Sequence, residues 1–196
     1  DMKKACIMMK NAKHVALFGV GDAYLAGLAF QASMTRTGTN YIVTPVYGEQ
    51  GHLAKTLHPD DCALLLSYSG STQSTIDNAK SLKKRKIPTI CITANASSEL
   101  AKICDISLFL PAKEDKGHRI AAFFSRASME YYLNVMYSYL YVLDYDKHIK
   151  EIDNKLNIDR RGASCALAFG LEMPYIVVPL GFGLIFQGIV AKNLTE

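Results

Sequence analysis

The chain has 196 residues, 49% of them hydrophobic and 20% charged, with 22 Lys+Arg against 18 Asp+Glu for a formal net charge of +4. That length suits an ordinary globular domain with a sizeable core, and the composition excludes intrinsic disorder, collagen-like repetition and a disulfide-dense scaffold. So mild a charge neither announces nor excludes a nucleic-acid binder, and the scattered cysteines (Cys6, Cys62, Cys91, Cys104, Cys165) fit a reducing cytoplasm and no structural zinc.

The first residues run straight into a helical pattern carried by Ala5, Ile7, Met8, Met9 and Ala12, with no signal-peptide core. Residues 14–20 form a short apolar run ending in glycine, the mark of a buried parallel strand. A helix follows from Asp22 to Arg36, stopped at Gly38, and the next strand covers 41–46. A short helix from Glu49 to Leu57 ends at the turn His58-Pro59-Asp60-Asp61. The third strand is 62–68, followed by a long helix from Thr72 to Arg85, a fourth strand over 88–93 and a short helix from Ser98 to Cys104. A fifth strand covers 106–110, and after the polar loop Lys113–Arg119 a long helix runs from about Ala121 beyond Asp144. Strands alternating with helices at this spacing predict an α/β fold with a doubly wound, five-stranded parallel sheet flanked by helices. Ligands bind such sheets beyond the carboxyl ends of the strands, at the switch in strand order, so the loops after strands one and three matter most.

After strand one comes Gly19-Val20-Gly21-Asp22-Ala23. Two glycines at a strand-to-helix turn let backbone approach a ligand, although a tight turn needs them equally; Tyr24 leaves a dinucleotide fingerprint incomplete. After strand three comes Ser67-Tyr68-Ser69-Gly70-Ser71-Thr72. Hydroxyls there, a glycine for the sharp turn and the start of the next helix together suit a phosphate dianion. With no lysine in the loop, it is not a Walker-type nucleotide site. Capping would account for one hydroxyl, not for the series.

Ser67, Ser69, Gly70 and Thr72 match the Ser-x-Ser-Gly-x-Thr signature of the sugar isomerase (SIS) domain, a flavodoxin-like sandwich, which the chain resembles over roughly residues 5–150. Within that family it looks most like the effector domain of RpiR-type bacterial transcriptional regulators, through Leu17-Phe18-Gly19-Val20-Gly21, Ser67-Tyr68-Ser69-Gly70 and Phe124-Ser125-Arg126-Ala127-Ser128. The resemblance implies that a phosphosugar is sensed, its phosphate on Ser67, Ser69, Gly70, Ser71 and Thr72, its sugar toward Gly19, Gly21, Asp22, Ala23, His52 and Arg126. Where the family carries a further serine in the first loop, this chain has Ala23. The resemblance also implies a homodimer or homotetramer, and DNA contact only through a helix-turn-helix domain that is expected to be absent from this chain.

The rival is an enzyme of the same fold, a phosphosugar isomerase or deglycase. Aldose–ketose isomerisation needs a base to move a proton between adjacent carbons. Glu49, His52 and Glu130 are the candidates, with His118 in the polar loop reading as a surface histidine. Glu130 lies four residues beyond Arg126, so an ion pair on one helical face explains both without catalysis. No acid/base constellation is as clear as the phosphate loop, which favours binding over turnover, with no catalytic residue, cofactor or metal. The basic run Lys80–Lys86 closes a helix, where cations offset the dipole. Aromatics lie all round the helix from Phe123 to Tyr145, implying a second buried face beyond the sheet.

Residues 1–155 are thus expected to form the phosphosugar-binding domain, and 156–196 an apolar tail. From Met173 to Ala191 the tail has no charged residue. It meets the crude length for a membrane span, yet Pro174, Pro179, Gly181, Gly183 and Gly188 interrupt it. A buried strand over 175–179 with a helix over 182–193 is more economical, and a cytoplasmic protein without membrane contact is expected. A frame-shifted or foreign tail is the other open reading.

Overall fold

A computed structural model of the protein describes residues 1–35, 41–44, 46, 48–112, 122–145 and 150. The chain divides into two compact units, Asp1–Ile152 and Asp153–Glu196. The strand and helix expected in the tail lie outside the described residues, as do His118 and its loop.

The described elements are α1 (Met2–Asn11), β1 (Val15–Gly19), α2 (Asp22–Thr35), β2 (Tyr41–Ile42), α3 (Gln50–Thr56), β3 (Cys62–Leu66), α4 (Gln73–Lys84), β4 (Thr89–Thr93), α5 (Glu99–Ile103), β5 (Ile106–Phe109) and α6 (Phe123–Leu143). The sheet has the order β2-β1-β3-β4-β5, with every pair parallel. From β1 the chain moves outward to β2, then returns to place β3 on the other side of β1. The switch in direction therefore falls between β1 and β3, whose register sets Gly19 beside Leu66 at their carboxyl ends.

Period-two alternation builds both faces of the core. Val15, Leu17, Leu64, Leu66, Ile90 and Ile92 point to one side, where α1, α2 and α6 cover them. Ala16, Phe18, Ala63, Leu65 and Cys91 point to the other, beneath α3, α4 and α5. The three central strands are buried at every residue, which is why they read as unbroken apolar runs.

One expectation needs correcting. The second strand pairs only over Tyr41–Ile42, not 41–46; it is an edge strand, and Pro45 has no N–H to extend a ladder. In α6 the buried stripe is Ser125, Met129, Leu133, Met136 and Leu140, at three- and four-residue spacing, with Tyr132, Tyr137 and Tyr139 half-buried beside it.

Candidate functional site

At the β1–β3 switch point the first-loop and third-loop segments come together. A cavity of about 260 Å³ lies between them, bounded on its far side by the first turns of α6. Among the expected ligand residues, Gly21, Asp22, Ala23, Ser67, Ser69, Thr72 and Arg126 line it.

The third loop is held from below. The Tyr68 carbonyl accepts from Ala94 N at 2.8 Å and from the Thr93 hydroxyl at 3.1 Å, which fixes the loop to the end of β4. Gly70 turns it back with φ +64°, its N–H donating to the Ser67 carbonyl at 3.1 Å. A Cβ at that position would sit 2.3 Å from Ser98 Oγ, so glycine is required by space as well as by dihedral angle. Ser71 and Gly70 shape the loop without lining the cavity, and the helix begins at Gln73 with Thr72 as its N-cap residue, one position later than expected.

Thr72 does not cap α4 with its side chain. Its Oγ1 instead lies 2.9 Å from Oγ of Ser67, which is 3% exposed, and both line the cavity. Ser69 Oγ accepts from the Ser71 hydroxyl at 2.9 Å and from its N–H at 3.3 Å. The hydroxyls are thus grouped at the positive end of a 12-residue helix whose terminal amides no capping side chain claims. Arg126 brings a cation to the rim. Its Nε donates to Glu130 at 2.9 Å, and Nη1 lies 3.8 Å from Asp22 at the start of α2. The Glu130 hydrogen bond and the charges of both carboxylates hold the guanidinium pKa above its ordinary value. Hydroxyl donors, a helix N-terminus and one cation make a site matched to a phosphate group.

The remaining candidates are placed elsewhere. Gly19 has its N–H and carbonyl clasped by the Gln50 side chain at 3.3 and 2.7 Å, and its bare Cα lets the α2 start approach, a Cβ meeting Ala23 C at 3.1 Å. Glu49 and His52 are exposed at the start of α3 and line no cavity with the serines, and Glu130 is turned to Arg126. The three candidate bases therefore do not converge on the hydroxyl cavity. Ser125, buried in α6, lines the cavity though it was not among the candidates; the motif around Arg126 was its only local signal.

A second cavity of about 400 Å³ adjoins the first, the two sharing Val20 and Gly21 in their walls. Gln50, Asp77 and Asn78 line it. No sequence motif marks these residues; only the packing of α3 against α4 brings them together.

The sequence model of the SIS domain matches residues 8–137. An HTH-type transcriptional regulator of Thermotoga maritima is 32% identical over 146 residues, 74% of this chain and 51% of that protein. Arabinose 5-phosphate isomerase KdsD of Pseudomonas aeruginosa is 33% identical over 113 residues, 55% of this chain and 33% of that protein. The putative amino acid transporter YuiF of Bacillus subtilis is 48% identical over 46 residues, 24% of this chain and 10% of that protein. The chain thus spans about half the length of the regulator and less of the other two. Among solved structures, the NanR protein of Vibrio vulnificus complexed with ManNAc-6P has the same fold, with a TM-score of 0.72 at 20% identity, covering 83% of this chain and 61% of that one. The sugar isomerase domain of an RpiR transcription factor from Sphaerobacter thermophilus has a TM-score of 0.69 at 19% identity, covering 81% and 85%.

Proposed function

This chain belongs to the SIS domain family, and from that footing we propose that residues 1–155 are the phosphosugar-sensing domain of a bacterial transcriptional regulator. The observation that carries the reading is the paired hydroxyls of Ser67 and Thr72 at an uncapped helix N-terminus. Phosphate would be held by Ser67, Ser69 and Thr72, with Gly70 and Ser71 shaping the loop, and the sugar would lie toward Gly21, Asp22, Ala23 and Arg126. The half-length match to an HTH-type regulator supports a signal read by a separate DNA-binding domain. A cytoplasmic homodimer or homotetramer accompanies the reading, and the exposed apolar residues Leu25 and Leu28 of α2 and Val135 and Val142 of α6 support a second copy as their cover.

Thermal-shift measurement against inorganic phosphate and a panel of sugar phosphates tests it. A rise in melting temperature with a sugar phosphate, lost in Ser67→Ala and Thr72→Ala, is expected. Unchanged melting with every compound overturns it. The isomerase reading is favoured by the KdsD likeness; against it, Glu49, His52 and Glu130 do not line the hydroxyl cavity. Conversion of a bound aldose phosphate to its ketose, followed by NMR, would establish it in place of the sensor.

For the tail we infer a separate origin. Outside residues 8–137 only 138–196 is long enough to hold a 46-residue match, and that stretch contains the uncharged run 173–191. The likeness to part of a transporter supports a foreign tail that takes no part in the ligand site. Residues 1–155 alone should then bind sugar phosphate as the full chain does; loss of binding on removing 156–196 overturns this.

A further inference from the structure

The hydroxyl cavity accounts for the phosphate and for the part of the sugar beside Asp22, Ala23 and Arg126, but leaves the larger cavity beside it without a role. We propose that this second cavity receives the hydroxyl-bearing end of a sugar monophosphate, with Asn78 as the residue that discriminates among sugars. The inference rests on reading the first cavity as the phosphate site.

Three observations carry it. The two cavities share Val20 and Gly21, so a ligand anchored at Ser67 and Thr72 can pass the turn after β1, where Gly21 adopts φ +60° and presents no side chain. Ser74, Asp77 and Asn78 lie on one face of α4, at three- and four-residue spacing, so the helix that ends at the phosphate cavity also walls the second one. Finally, Thr44 Oγ1, which lines this cavity, is buried without a partner. Asn78, 7% exposed, lines the same cavity with its amide in no hydrogen bond to another described residue.

Buried polar groups are nearly always paired, so the unpartnered Thr44 hydroxyl, with the Asn78 amide open to the same cavity, points to a ligand that supplies the missing bonds. An amide offers donors and an acceptor, and a sugar hydroxyl offers both in return. Gln50 cannot play this part, because its amide is already committed to Gly19. Asp77, oriented by Gln73 Nε2 at 2.8 Å, accepts hydroxyl protons and repels a second phosphate. The chemistry selected is therefore a monophosphate whose far end is neutral and hydroxylated.

Titration calorimetry on the full chain tests this with inorganic phosphate, glucose 6-phosphate, fructose 6-phosphate, arabinose 5-phosphate, N-acetylmannosamine 6-phosphate and fructose 1,6-bisphosphate. The wild-type protein should bind one of the monophosphates more tightly than inorganic phosphate. Asn78→Leu should reduce that preference by about tenfold, with the affinity for inorganic phosphate held within about twofold. Asn78→Ser gives the same reading should the leucine variant not fold. Asp77→Asn should narrow the preference of fructose 6-phosphate over the bisphosphate. A preference unchanged in both Asn78 variants overturns the proposal while leaving the phosphate site standing. No binding of phosphate or any monophosphate by the wild type, by contrast, overturns the phosphate reading and this one with it.

Discussion

Gly70 meets two constraints at once, a left-handed backbone and a neighbour 2.3 Å from where a Cβ would stand. Gly70→Ala should therefore cost about 2–4 kcal/mol, read as a lowered urea midpoint, with the serine loop displaced and the proposed sugar-phosphate response lost. Ala23 lines the cavity and is only half-buried, so Ala23→Ser has room for its hydroxyl. It should strengthen binding of the sugar phosphate by about tenfold in calorimetry, the worth of one added hydrogen bond. Asp61 links structure to pH. Burial alone would raise its pKa, but the His58 N–H at 2.8 Å and His14 Nδ1 at 2.9 Å outweigh it and hold the carboxyl below its ordinary value. Because the folded-state value lies below the unfolded one, this stabilisation is complete above about pH 5 and is lost as pH falls through the folded value. Unfolding midpoints should drop below about pH 5, and Asp61→Asn should flatten that slope.

Helix ends decide what the charged elements do. The basic run closing α4 looks like a nucleic-acid patch in isolation. In the structure Arg85 donates from Nη1 and Nη2 to the Ala54 and Leu57 carbonyls at 2.6 Å each, satisfying the end of α3. Lys80 pairs with Glu99 and Lys83 with Asp105, so much of the run is committed within the chain. Arg85→Ala should lower stability by about 1–3 kcal/mol in urea denaturation, and lysine should not restore both bonds, lacking the planar fork. The exposed Lys80–Glu99 pair should matter little, since such pairs are screened. At the other end of α4, Thr72 leaves capping undone and turns to Ser67. The element boundary is therefore set by the site, which explains why propensity placed the helix start one residue early.

Across the molecule, α2 has no charged residue after Asp22, and its outward residues Leu25 and Leu28 are 45% and 41% exposed. A helix apolar on every side is normally buried, which supports a second copy on this face. Light scattering should give the mass of a dimer or tetramer, and Leu28→Glu should shift it toward the monomer. Among the described residues no helix is long and apolar enough to cross a membrane. The apolar excess of the described chain instead goes into a sheet covered on both faces.

The alternation of apolar runs and helical spacing was enough, without coordinates, to predict the parallel sheet and the two loops at its carboxyl edge. The reason is that burial on both sides imprints each strand's own residues. The serine loop was legible too, because its hydroxyls, glycine and helix start are contiguous. Three things could not be read locally. β2 stops after Ile42 because of its place at the sheet edge. Glu49 and His52, near the loops in sequence, are turned to solvent by the pitch of α3. Gln50 and the adjacent pair Asp77–Asn78, far apart along the chain, face one cavity only because α3 and α4 pack against the same side of the sheet. A contiguous motif carries its chemistry in the sequence; a site assembled from separate elements exists only once the tertiary packing brings them within reach.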